Sequence, residues 1–144
     1  MNSDSTLSAS FGVDRPRVPV SVLAGRVLSG LAIAFLTFDA TIKLARLKEA
    51  VEGTTQLGFS ASQVLPLGVI ELICLIFYVI PRTAPIGATL LTGYLGGAVA
   101  IHVQRGNPVF THMLFPVYVA ALLWGGLYLR DRRVKAALGP LHPR

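Results

Sequence analysis

Two long apolar stretches toward the C-terminus constrain this chain more than any other feature. Residues 83–101 are 19 positions without a formal charge, and residues 106–129 are 24 with only His112 as an ionisable interruption. At about 1.5 Å per helical residue each reaches roughly 28 Å or more, close to the thickness of a bilayer's hydrocarbon core. A soluble core helix of that length carries a polar face at 3.6-residue spacing, and neither stretch shows one. Two further apolar stretches precede them. The expected fold is therefore all-α, an integral membrane four-helix bundle over residues 20–131, with spans at about 20–42, 62–80, 83–102 and 110–129.

Composition supports lipid as the solvent. Hydrophobic residues make up 53% of the chain and charged residues 14%, against about 25% charged in an ordinary soluble domain. The formal charge of +6 invites a nucleic-acid reading, but its placement argues against one. Arg130, Arg132, Arg133, Lys135 and Arg144 all follow the last apolar stretch, with no base-stacking aromatic among them. Anionic lipid headgroups are the better partner for such a cluster, and no nucleic acid is expected. Cys74 is the only cysteine, so neither an intramolecular disulfide nor a Cys-x-x-Cys centre can form. Inside an apolar run it reads as a small buried residue.

Residues 1–19 are polar and proline-containing without an apolar core, which predicts a disordered tail rather than a cleaved signal. Residues 132–144 form a second, basic tail. In span one, Gly25, Ser29 and Gly30 are candidates for close helix packing. The span is expected to leave the membrane as an amphipathic extension over 44–48, with Gly53 to Gly58 as a polar loop. Pro66 falls in the first two turns of span two, where proline is tolerated or introduces a kink. Arg82 and Thr83 leave room only for a tight turn, so spans two and three are antiparallel neighbours. Gly93 and Gly97, with Gly96 and Ala100 on an adjoining line, offer a helix-packing seam in span three. Pro116 predicts a kink in span four, and Trp124 with Tyr128 an interfacial belt.

With both termini on one side, that side collects Arg15, Arg17, Arg26, Arg82, Arg130, Arg132, Arg133, Lys135 and Arg144. The other side holds Lys43, Arg46, Lys48 and Arg105. Lys and Arg are in excess in cytoplasmic loops, so both termini are expected to be cytoplasmic.

Polar groups at membrane depth are costly and therefore informative. Glu71 lies well inside span two, between Ile70 and Leu72. Asp39 precedes Lys43 by four residues, the favourable acid-before-base order on one helix face. Tyr94, His102 and Gln104 reach overlapping depths from span three, with Arg105 just beyond. The expected cluster is Asp39, Lys43, Glu71, Tyr94, His102 and Arg105, with Lys43 or Arg105 set against Glu71. Two readings of it stand: a polar knot that fixes helix register, or a pocket in the outer half for a headgroup, a quinone or a small solute. Arg26 can snorkel to the surface as an anchor. His102 and His112, ten residues apart, are placed too near the surface for a mid-membrane haem. No metal-ligand spacing appears.

The chain also resembles a known family. The carriers are Leu67-Gly68-Val69-Ile70-Glu71-Leu72 with Pro81-Arg82, then Gly93-Tyr94-Leu95-Gly96-Gly97-Ala98-Val99-Ala100 with His102. Trp124-Gly125-Gly126-Leu127-Tyr128-Leu129-Arg130-Asp131 ends the likeness, and Phe38-Asp39-Ala40 with Lys43-Leu44 begins it. Over about residues 22–137 the chain is similar to the DoxX-like family of small bacterial membrane proteins. The resemblance implies a four-helix bundle in the bacterial cytoplasmic membrane, with Glu71, Arg82, Tyr94 and His102 as the matching polar positions. It also implies kinship with proteins associated with quinone-linked redox complexes or with membrane assembly.

The leading expectation is thus an accessory or anchoring subunit of a membrane redox complex, a role needing no cofactor ligands of its own. A bound quinone or lipid is the ligand class left open, and a redox partner or a second copy of the chain the partner class. The alternatives are a small-solute transporter with Glu71 as a proton-coupled carboxylate, or an assembly factor. A self-sufficient oxidoreductase ranks last, because four-helix enzymes of that kind use paired cysteines.

Overall fold

The computed structural model describes residues 18–139; most of the expected N-terminal tail and the last residues of the C-terminal one lie outside them. Every regular element is helical. In chain order they are α1 (Val20–Leu44), α2 (Lys48–Gln56), a 3-10 turn (Ala61–Gln63), α3 (Val64–Val79), α4 (Ala84–Gln104), a π-helical turn (Val109–Met113), α5 (Phe115–Arg130) and α6 (Arg132–Leu138). Four segments are long and apolar enough to cross a membrane: Val20–Leu44, Ala61–Val79, Ala84–Gln104 and Val109–Arg130. Helix α1 packs against α3 and α5, and α4 closes the ring by packing against both.

The bundle is apolar inside and out. Leu36, Leu75, Leu91, Leu123 and Leu127 fill the interior, while Leu23, Leu31, Phe38, Ile73, Ile76, Ile86 and Val117 face outward. Outward apolar surface on every long helix suits lipid, and in water it would drive association. Few backbone groups are left to satisfy, because each span completes its own hydrogen-bond ladder.

Helix contact is set by small residues, though not by the expected ones in span three. A Cβ built on Gly25 would stand 2.8 Å from Leu129 Cβ and 2.9 Å from the Gly126 carbonyl oxygen. One on Gly126 would stand 2.7 Å from the Ser29 backbone nitrogen. The α1 and α5 backbones therefore touch at this crossing, as Gly25 and Ser29 foreshadow. Gly87 plays the same part between α4 and α3, where an added Cβ would run into the Tyr78 backbone. Gly93, Gly96 and Gly97, by contrast, have nothing within 4 Å of such a Cβ, and Ala100 is exposed. They form no seam within this chain because no neighbouring helix comes within contact distance of them. Gly30 is likewise open.

Tyr78 ties three helices together. Its ring is fully buried, its hydroxyl donates to the Leu123 carbonyl at 2.8 Å, and Ser29 Oγ lies 3.0 Å away. A buried hydroxyl without such partners would cost free energy, so the bonds specify how α1, α3 and α5 meet.

Several local expectations change. Helix α1 stops at Leu44 rather than running on, and Arg46 adopts a positive φ of 52° that redirects the chain. Residues expected as a loop belong to α2, with Gly53 inside it. Glycine costs a helix only about 1 kcal/mol, and burial of Ala50 and Thr54 on one face offsets that. Pro116 starts α5 instead of kinking a longer helix; the π-helical turn before it absorbs the irregularity. Trp124 donates its indole N–H to Thr92 Oγ1 at 2.9 Å and so ties α5 to α4.

Candidate functional site

Gly68 builds the site by letting α3 close onto α1. A Cβ on Gly68 would stand 2.8 Å from Lys43 Cβ and 3.3 Å from the Ala40 carbonyl oxygen. Three residues along α3 from this contact, on the same face, Glu71 is carried directly against Lys43. Sequence reading named Glu71 and Lys43 but passed over the glycine that brings them together.

Lys43 is the hub. Its Nζ donates to Asp39 Oδ2 at 2.5 Å, to Glu71 Oε2 at 2.9 Å and to the Tyr94 hydroxyl at 3.1 Å. Tyr94 in turn donates to Glu71 Oε2 at 3.0 Å. An ammonium has three protons, so Lys43 is saturated within the network. The side chains form a gradient of burial: Asp39 is 29% exposed, Lys43 15% and Glu71 0%. Glu71 Oε1 is buried with no hydrogen-bond partner, the one open position in the cluster.

The other two expected members sit elsewhere. His102 engages Asn107 through Nδ1 at 2.8 Å, and its ring meets that of His112 edge to face at 5.8 Å. Arg105 donates through Nε to the Leu57 carbonyl at 3.0 Å and so holds the α2–α3 connection. Glu71 is paired with Lys43 instead. The expected six therefore divide into a core of Asp39, Lys43, Glu71 and Tyr94, with His102 and Arg105 on the periphery.

A cavity of about 760 Å³ opens beside this network, at the bundle end opposite α6. Asp39, Lys43 and Tyr94 face it, as do His102, Asn107 and His112. Phe35 and Phe115, in edge-to-face contact at 5.1 Å, belong to its apolar wall along with Leu67 and Ile101. Gly93 and Gly97 line it as well, which gives the open glycines of α4 a place: they leave the cavity its width. Helix α2 contributes Ala50 and Thr54 to a further wall. No sequence expectation included α2 in the site. The signal was present, since Ala50 and Thr54 are four apart and Lys48 and Glu52 pair across one turn at 3.7 Å. Among the described residues no group of three or more His, Cys, Asp or Glu is arranged to hold a metal ion.

A ring of four apolar helices around a buried lysine–carboxylate–tyrosine network defines a multi-pass helical membrane protein. The chain belongs to the DoxX-like family, whose sequence profile matches residues 27–126, a stretch holding Asp39, Lys43, Glu71 and Tyr94 together with Gly68 and Gly87. No curated protein and no solved structure matches the chain.

Proposed function

We propose that this DoxX-like protein holds a quinone-class molecule in the cavity and does so as an accessory or anchoring subunit of a membrane redox complex. The observation that carries this reading is the cavity itself. It combines aromatic and aliphatic walls with several polar side chains, the pattern of a small-molecule site, and its volume lies in the usual range. The residues present fit such a ligand. Asp39 is the most exposed member of the network, so an entering carbonyl oxygen can replace it on Lys43, while Asn107 and the two histidines offer further polar contacts. A quinone there would supply electron and proton carriage to a partner complex; the chain's own residues bind and orient.

The transporter alternative asks for a carboxylate that exchanges protons with water. Glu71 is closed off behind Lys43 and Tyr94 and does not face the cavity, which favours the binding reading over the carrier one. An assembly factor would need neither cavity nor ligand.

Gly93→Phe tests the reading, because the new side chain enters the cavity where a Cβ meets nothing within 4 Å. Wild-type protein purified in mild detergent is expected to retain quinone in its organic extract and a redox partner in its native mass spectrum. The variant is expected to keep its thermal stability and lose the quinone. A wild-type preparation free of quinone, and not stabilised by added short-chain quinone, would overturn the ligand assignment. Repeated isolation of the chain alone would overturn the accessory role.

We further propose that the bundle lies in the bacterial cytoplasmic membrane with both termini in the cytoplasm and the cavity toward the outer face. The distribution of lysine and arginine supports this, nine on the terminal side against four on the other. Reporter fusions after Gly53 and after Arg144 check it. The first is expected to report an external position and the second an internal one; the opposite pair of signals rules the orientation out.

A further inference from the structure

A second cavity, of about 410 Å³, lies at the opposite end of the bundle, where α1 begins and α5 gives way to α6. Five arginines line it: Arg26 from α1, Arg82 from the α3–α4 turn, Arg130 from the end of α5, and Arg132 and Arg133 from α6. The one carboxylate among them, Asp131, accepts a hydrogen bond from the Arg133 backbone nitrogen at 2.8 Å and so caps α6. Among the described residues none of the five arginines forms an ion pair.

Arg130 carries the argument. Its guanidinium lies over the Tyr78 ring at 5.1 Å, and Tyr78 is itself locked by its bonds to Leu123 and Ser29. The guanidinium is thus held on a rigid platform, yet its Nε and Nη2 atoms are buried without a hydrogen-bond partner. Buried nitrogens without partners on this half-buried guanidinium cost free energy, and four more guanidiniums around the same cavity add mutual repulsion. An anion in the cavity relieves both. Guanidinium forks match the oxygens of a phosphate group, and arginines at the end of a bundle meet such groups in the headgroup layer.

We infer that this cavity is a phosphate-binding site built into the bundle end, taking the anionic phosphate of a lipid headgroup or of a soluble phosphate ester. It is separate from the quinone-class cavity and does not depend on that assignment. Arg130 is the fixed donor on its aromatic platform; Arg26 and Arg82, both exposed and on separate elements, close over the ligand from two sides.

The test uses the full chain in non-ionic detergent, with binding of phosphatidylglycerol, phosphatidylcholine and inorganic phosphate read by native mass spectrometry and thermal shift. Phosphatidylglycerol is expected to bind and raise the melting temperature, and phosphatidylcholine to do neither. Loss of two charge-assisted contacts in the Arg26→Gln, Arg82→Gln double variant is expected to weaken binding by about tenfold or more. Both positions are exposed, so the variant should fold. Lys135→Gln, on the same basic end but outside the cavity, is expected to leave binding unchanged. Binding of phosphatidylglycerol without inorganic phosphate identifies the lipid as the source; competition by inorganic phosphate identifies a soluble ester. The inference is overturned if phosphatidylcholine binds equally, if neither anion binds, or if Lys135→Gln weakens binding as much as the double variant does.

Discussion

Lys43→Met is expected to destabilise the bundle by about 3–5 kcal/mol, the range for breaking a buried ion pair from one side. The substitution preserves length and packing but leaves Glu71, which is 0% exposed, and Asp39 facing one another without a cation. Tyr94 keeps a single donor bond to Glu71 Oε2 and cannot replace the lost charge. Adding Glu71→Gln to Lys43→Met removes the stranded carboxylate and is expected to recover most of the loss. Glu71→Gln alone is expected to cost less than Lys43→Met, because Lys43 keeps Asp39 as its counter-ion. Equilibrium unfolding in mixed detergent micelles provides the measurement. A cost for Lys43→Met below about 1 kcal/mol would place the network with exposed ion pairs and refute its part in holding α1 to α3.

Gly87→Leu is expected to have the largest packing effect, at least the 1–3 kcal/mol usual for overfilling a core. The new Cβ meets the Tyr78 backbone, which cannot move aside as a flexible side chain can. Helix α4 must lift from α3, and Tyr78 then loses its fixed position against Leu123 and Ser29. Gly96→Leu provides the internal control. A Cβ at Gly96 has nothing within 4 Å, so this variant is expected to match wild type within about 0.5 kcal/mol, as surface substitutions usually do. Equal destabilisation by the two variants would show that the glycine crossings are wrongly placed.

The contrast between those two glycines shows where reading the sequence stops. Spacing alone makes Gly93, Gly96, Gly97 and Ala100 a better packing motif than Gly87. Spacing reports which residues share a helix face, however, and not what that face meets. In lipid the ambiguity deepens, because an exposed face is as apolar as a buried one and hydropathy no longer separates them. Small size alone marked Gly25, Ser29 and Gly30 in span one, and only the structure separates Gly25 and Ser29, which meet Gly126 of α5, from Gly30, which is open. Helix α2 was missed for a different reason: a nine-residue helix with an internal glycine has little intrinsic stability, and only its docking against α1 and α3 makes it form.

The candidate site divides along the same line. The Asp39–Lys43 pair is a local feature, four residues apart on one helix, and could be read directly. Glu71 announced itself because a carboxylate in an apolar run needs a partner, and the choice between Lys43 and Arg105 was all that stayed open. That choice depends on the helix approach made possible by Gly68, a long-range distance no local pattern encodes. A pocket beside the cluster was one of two open readings, but its walls were not legible, and the arginine-lined cavity had no sequence signal, since each is the space left between three or more elements.

Apolar length by itself determined that this chain is helical and crosses a membrane, because a backbone in hydrocarbon must satisfy its hydrogen bonds within each segment. Sparse charge likewise picked out the residues that need explaining. Tertiary structure alone decided how α1 and α5 complete the ring, which cation neutralises Glu71, and that five arginines from three parts of the chain converge on one cavity. Those outcomes depend on side-chain contacts between segments distant in sequence, where a single missing Cβ sets the distance of approach.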